Sequence, residues 1–263
     1  MSLKQKLYED YIKQSRLPEY RKTIQIAKAH GYEMVGVLDF ARIVRSENLK
    51  GRRIYLNRHD IDTSPAVAKK MFEIEKEIYG REGSATYYFR DTTQNIKLIK
   101  EIDDYGYETG YHYEELATYI KKHKLRNRKE IEKHIKDAGA IFLEDLKRFR
   151  IETGSKSVTV ASHGDFINTR YNIQNYEMLK IPEIRQKADI EAEAYDEDIM
   201  KYVQERMADQ HLLAGYAAAT GSIFEKEIPI VMTLTHPRNW QVDFRENTKE
   251  NWRRLSQDIR FRF

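Results

Sequence analysis

Apolar residues along this chain follow two rhythms. Over 3–15 and 19–30 they recur at helical spacing, with Pro18 between the two segments and Gly31 just past the end of the second, where a glycine commonly stops a helix. Tyr32 to Leu38 is a short apolar run, a strand or the lead into a helix at Phe40–Arg45, and the charged turn Asn48-Leu49-Lys50-Gly51 follows. The pattern then changes. Ile54-Tyr55-Leu56 opens a strand that breaks into the polar cluster Asn57-Arg58-His59-Asp60-Ile61-Asp62, and Thr63-Ser64-Pro65 supplies capping chemistry for the next helix. Ala66, Val67, Met71, Ile74 and Ile78 keep helical spacing up to Gly80. Strand formers return at Ser84–Phe89, a helix is expected over about 95–105, and Tyr107–Tyr111 is the next strand, with His112 at its end.

The later chain is less regular. Residues 114–150 read as charged helix with a break near Leu125-Arg126-Asn127, and His123 and His134 belong to that solvated stretch, as His30 belongs to a helix end. Ser157–Ala161 is a strand that runs into Ser162-His163-Gly164-Asp165. Beyond it the pattern gives a helix at 174–180, a short strand near 190–194, helix over 196–207 and a strand at 211–216. Ile228–Thr235 is the last strong strand and runs into His236-Pro237; a helix over about 246–258 closes the chain.

Strands alternating with helices imply parallel strands joined by helical crossovers, and in such folds ligands meet the C-terminal ends of the strands. His59, Asp60, Asp62, His112, His163 and His236 all stand at or beside those ends. A helix cap explains one acidic residue after the first strand, but not two aspartates with a histidine beside them. Such a cluster is suited to holding a cation or moving a proton.

Composition narrows the chemistry. The chain has 263 residues and no repeat or linker that divides it, so one domain over 1–263 is expected, with residues 1–50 as a mainly helical lead-in. With no cysteine among them, thiolate metal sites, disulfides and cysteine nucleophiles are excluded, and any metal must take nitrogen and oxygen donors. The net charge of +4 comes from 46 basic residues interleaved with 42 acidic ones, which gives no case for nucleic acid. Basic residues gather at the end of the chain, in Trp252-Arg253-Arg254 and Arg260-Phe261-Arg262-Phe263, read as a solvated terminal helix. The first residues lack the apolar core of a secretion signal, and no run approaches the ~18 apolar residues of a membrane span, so a cytoplasmic protein is the expectation; oligomeric state is not legible.

Three ordered segments resemble a divergent branch of the polysaccharide deacetylases, carbohydrate esterase family 4 or the NodB-homology group. They are Arg58-His59-Asp60-Ile61-Asp62-Thr63-Ser64-Pro65, Ser84-Ala85-Thr86-Tyr87-Tyr88-Phe89-Arg90 and Gly110-Tyr111-His112-Tyr113-Glu114-Glu115-Leu116, with Ser162-His163-Gly164 and Leu234-Thr235-His236-Pro237 as later islands. The resemblance implies a distorted (β/α) barrel and a divalent metal, zinc first, beside two acid-base groups that remove acetyl from an N-acetylated sugar or glycan precursor. It maps Asp60 to the base, Asp62 and His112 to metal ligands and His236 to the general acid. Two features depart from the pattern: Leu116 stands where a second histidine is usual, and the arginine-and-proline third motif is not recognisable. A third ligand must then come from elsewhere. His163 is the first choice, at a strand end on the same face, followed by Glu115 and Glu114. His59, Arg90, Glu115 and Trp240 are expected to meet substrate, His59 alternatively orienting Asp60. Two other readings stand beside this one: a binding protein on the same fold that has lost catalysis, and an amidohydrolase acting on a non-sugar C–N bond.

Overall fold

The computed structural model describes residues 3–90, 95–209 and 216–262. In chain order the elements are α1 (Leu3–Tyr11), α2 (Leu17–Ala29), β1 (Glu33–Val35), α3 (Val37–Arg45), β2 (Ile54–Ile61), α4 (Pro65–Tyr79), β3 (Thr86–Phe89), α5 (Ile96–Tyr105), β4 (Glu108–Tyr113), α6 (Glu115–His123), α7 (Arg128–Lys133) and α8 (Ile135–Thr153). There follow β5 (Thr159–Ser162), α9 (Phe166–Tyr171), α10 (Pro182–Ala188), β6 (Ala192–Glu193), α11 (Glu197–Met200), β7 (Glu205–Ala208), α12 (Tyr216–Glu225), β8 (Ile230–Thr235) and α13 (Phe244–Arg262).

All the strand pairs are parallel, in the order β6-β5-β4-β3-β2-β8-β7, with β1 pairing the first residues of β2. This path of seven strands curls into a half-barrel, the coarse form of the distorted (β/α) barrel expected from the sequence. Among the described residues β6 and β7 are its two edges. β2 lies at the centre and is buried at every position, which is why its apolar opening reads as a continuous run.

Side chains alternate across the sheet. Ile54 and Leu56 of β2 pack on one face with Tyr88, Ala161, Met232 and the apolar side of α3. On the other face Tyr55 packs with Tyr20 and Ile24 of α2 and Met71 and Phe72 of α4. A further cluster joins α6, α8 and the outer side of β4 and β5 through Leu116, Phe142, Tyr113 and Val160.

Three stretches differ from the expectation. The helix over 196–207 is only α11, and Glu205–Ala208 is a strand at the sheet edge. The segment at 174–180 is a 3-10 helix, Asn175–Lys180. The strand expected at 211–216 falls almost wholly outside the described residues, and Tyr216 already begins α12, which the sequence reading did not foresee. No described helix is long and apolar enough to cross a membrane.

Candidate metal centre

Because β2, β4, β5 and β8 run parallel, their C-terminal ends form one rim. The turn after β2 delivers Asp62, β4 carries His112 near its end, and the turn after β5 delivers His163. One donor atom from each lies within 4.8 Å of the other two. Asp62 Oδ1 is 3.3 Å from His112 Nε2 and 3.5 Å from His163 Nε2. Four bonds of about 2.0–2.1 Å in a tetrahedron hold neighbouring donors about 3.4 Å apart, so these spacings are those of ligands around one ion. Asp62 Oδ1 is also buried and makes no hydrogen bond, as an oxygen reserved for a cation would be.

Each imidazole is fixed from behind. His112 Nδ1 donates to the Ala161 carbonyl at 2.9 Å, and His163 Nδ1 donates to Glu114 Oε2 at 2.8 Å. Both bonds place a proton on Nδ1, so that once Nε2 is deprotonated its lone pair faces Asp62. Glu114 is held in turn by Arg90. The turn carrying His163 is pinned at both ends of the residue: its backbone N–H donates to the Tyr113 carbonyl at 2.7 Å, and Asn175 Nδ2 donates to its own carbonyl at 2.6 Å.

The electrostatics favour ionised donors around a cation. Burial alone would raise the Asp62 carboxyl, but His163 and His112 outweigh it and hold it well below the usual carboxylate range. Burial would lower His163; Asp62 and Glu114 reverse that and raise it to about 9. An ion at these donors would therefore displace a proton from His163.

Two further groups flank the triad. Asp60 accepts from Arg58 twice, Nε to Oδ1 and Nη2 to Oδ2, both at 2.8 Å, and its Oδ2 is 3.5 Å from His112 Nε2. Arg58 and Asp60 are two apart on one strand and so share a face. The guanidinium, wholly buried, lies against the rings of Tyr88 and Tyr195. Although burial pulls upward, Arg58 and His112 lower the Asp60 carboxyl below its ordinary value.

His236, just past β8, pairs through Nδ1 with Asp209 Oδ1 at 2.9 Å, while its backbone N–H donates to Asp209 Oδ2 at 2.6 Å. Burial would lower this imidazole, but Asp209 first and then Asp62 and Asp60 raise it to about 9. Arg58 and Asp209 were both missed by the sequence reading. Asp209 follows β7, the edge strand taken for helix, and the register that sets Ala208 beside Leu234 brings it next to His236.

The remaining candidates stand elsewhere. His59 is one residue from Asp60 in the strand and so points to the opposite face, away from the rim. Its Nε2 donates to Glu75 Oε1 at 2.7 Å and its Nδ1 meets the Thr235 hydroxyl at 2.5 Å, in a buried network with Tyr20, Asn57 and Tyr87. The expectation that His59 orients Asp60 or meets substrate is corrected by that geometry. Trp240 is buried, and its indole N–H donates to Asp209 Oδ2 at 3.0 Å, so it supports the Asp209–His236 pair and does not present a stacking face. Glu115 accepts from the Tyr111 hydroxyl at 2.5 Å and lines a cavity of about 300 Å³ beside the centre, together with Arg90, His112 and Glu114; it is outside the donor triad. Glu114 steadies His163 from behind.

Fold and site together define an α/β protein whose parallel half-barrel brings an aspartate and two histidines to one candidate metal centre. Compared with known proteins, the chain matches no family model, no curated protein and no solved structure. The resemblance to the deacetylases rests on its motifs alone.

Proposed function

We propose that this protein is a metal-dependent hydrolase that removes acetyl from an N-acetylated sugar or sugar precursor. The observation that carries the proposal is the meeting of Asp62, His112 and His163 within reach of one ion, with Asp60 and His236 beside them. One carboxylate and two imidazoles suit zinc or another borderline divalent ion. Such an ion, when bound, supplies Lewis-acid polarisation of a carbonyl oxygen.

The chain's own groups complete the reaction. Asp60, kept ionised and oriented by Arg58, takes a proton from the attacking water as the water oxygen bonds to the amide carbon. His236, kept protonated by Asp209, gives a proton to the nitrogen as the C–N bond breaks, and a free amine and acetic acid leave, the acid giving up its proton to water as acetate. The acid-base pair is thus split in the required sense, a depressed carboxyl and a raised imidazole. The sugar is proposed from the motif resemblance, the proton chemistry from the geometry.

The test is elemental analysis of the purified protein with acetate release from a panel of N-acetylated sugars. We expect one divalent ion per chain and activity abolished by chelation or by Asp62→Ala. Activity surviving both would defeat the metal mechanism. A metal-loaded protein silent on every sugar but active on another amide would replace the substrate and keep the site.

A further inference from the structure

The first turns of helix α13 are built inside out. The side they turn to the protein is polar: Asn247 and Glu250 are buried, Asn247 Nδ2 donates to the Asp10 carbonyl at 2.8 Å, and Asn251 Nδ2 donates to Asp10 Oδ2 at 3.0 Å; apolar packing returns at Phe261 near the C-terminal end. The outward side of the helix carries Phe244, Trp252 and Leu255, exposed at 65, 68 and 51%. At 100° per residue these three fall within about 80° of the helix circumference, a single stripe. A solvated surface helix has the reverse arrangement.

The exposed charges that flank the stripe have one sign among the described side chains. Arg245, Lys249 and Arg254 are the exposed ionisable residues among the described side chains of α13, whereas the acidic residues described there, Glu246 and Glu250, are half-buried and buried. Arg254 reaches Glu250 at 2.5 Å yet stays about half exposed. Helix α1, joined to α13 through Asp10 and through the Tyr11–Phe244 ring contact at 5.2 Å, adds exposed Tyr8 beside it, and Ile12 just past its end is exposed too. Scattered single apolar residues need no explanation, but an aromatic stripe set among cations, with no exposed acid among the described side chains of α13, does.

We propose that the outer face of α13, with α1 beside it, is a peripheral docking surface for an anionic lipid bilayer. Phe244, Trp252 and Leu255 enter the boundary between headgroups and acyl chains, and Arg245, Lys249 and Arg254 meet the lipid phosphates. The long basic side chains can extend to the headgroups while their stems lie along the apolar stripe. The surface is tied to the metal centre through the inner side of α13: Glu250 faces Arg90, and Arg253 faces Glu114, each at 3.8 Å. Docking would therefore hold the rim of the half-barrel near the membrane surface. The inference does not depend on the hydrolase reading, because a metal-free protein would dock as well.

The chain contains two tryptophans, and Trp240 is buried, so a change in emission on docking reports Trp252. The experiment is co-sedimentation and tryptophan emission with phosphatidylcholine vesicles, with and without phosphatidylglycerol. Binding to the anionic vesicles, a blue shift and reversal by salt are expected. Arg245→Gln with Lys249→Gln should weaken binding about thirtyfold, taking ~1 kcal/mol per cation near the surface, and Trp252→Ser with Phe244→Ser should abolish it. No binding at low salt, or binding unchanged in these variants, overturns the proposal. A blue shift without vesicles, together with doubling of the mass in light scattering, also overturns it and assigns the face to a second copy of the chain.

Discussion

Protonation at the rim is set by pairs of side chains, and His236 shows how far one neighbour decides it. Its Nδ1 faces Asp209, which is itself held by the His236 backbone N–H and the Trp240 indole. Replacing Asp209 with Asn keeps the shape but removes the charge that outweighs burial. We expect the His236 pKa, followed by NMR, to fall from about 9 toward the ordinary histidine range, with Asp62 and Asp60 alone left to oppose burial, and turnover to fall on the order of a hundredfold or more as the general acid is lost at neutral pH. An unchanged titration would mean that Asp209 does not govern the imidazole. The rim residues Asp60, Asp62, His112, His163 and His236 were legible because each polar side chain ends or follows an apolar strand. His59 was set on the rim by the sequence reading, although strand alternation puts it opposite Asp60 whatever its chemistry. Arg58 required the same alternation applied one step further back. Trp240 gave no local signal, since an aromatic ring that supports a carboxylate through its N–H reads like one that waits for a sugar.

Among the elements, β4 carries a ligand and has little room to change. A Cβ on Gly110 would lie 2.6 Å from Tyr88 Cε1 and 2.7 Å from the Thr159 carbonyl oxygen. Both neighbours are anchored, for the Tyr88 and Thr159 hydroxyls bond to each other at 2.8 Å. Gly110→Ala should therefore destabilise the protein by about 1–3 kcal/mol and, because His112 is two residues on, weaken metal binding as well. Chemical denaturation and metal titration of the variant check both; a variant as stable as the parent would show that Tyr88 can move aside. The alternation from β2 to β5 was readable because those strands are central, apolar and separated by helices of ordinary spacing. The sheet edges were not: β6 has two residues and β7 reads Glu-Arg-Met-Ala, which carries neither an apolar run nor a clear period. Their place is fixed by pairing with β5 and β8, a tertiary cause that no local window contains.

Over the whole molecule, buried carboxyls set how stability varies with pH. Glu108, Glu115 and Glu193 are each raised to about 7, in every case chiefly by burial. Each carboxyl then holds its proton more tightly in the folded chain than in the unfolded one. Its stabilising contribution is complete below about 4.5 and is lost as pH rises through about 7. Glu250 acts in the opposite sense: burial would raise it, but Arg253 and Arg254 outweigh that and lower it to about 2. Its contribution is present above about 4.5 and disappears as pH falls toward 2. Glu108 separates the two limbs experimentally, because it lies at the start of β4, away from the rim, and accepts from the Leu38 N–H at 2.9 Å and from the Thr86 and Thr159 hydroxyls. Glutamine there retains an acceptor oxygen and cannot titrate. Thermal unfolding of the metal-free protein should show stability declining between about pH 4.5 and 7, and in Glu108→Gln the decline should be shallower by up to ~3 kcal/mol, the equivalent of one such shift. Parallel pH curves for the two proteins would mean that Glu108 is already ionised in the fold, its three hydrogen bonds having outweighed its burial.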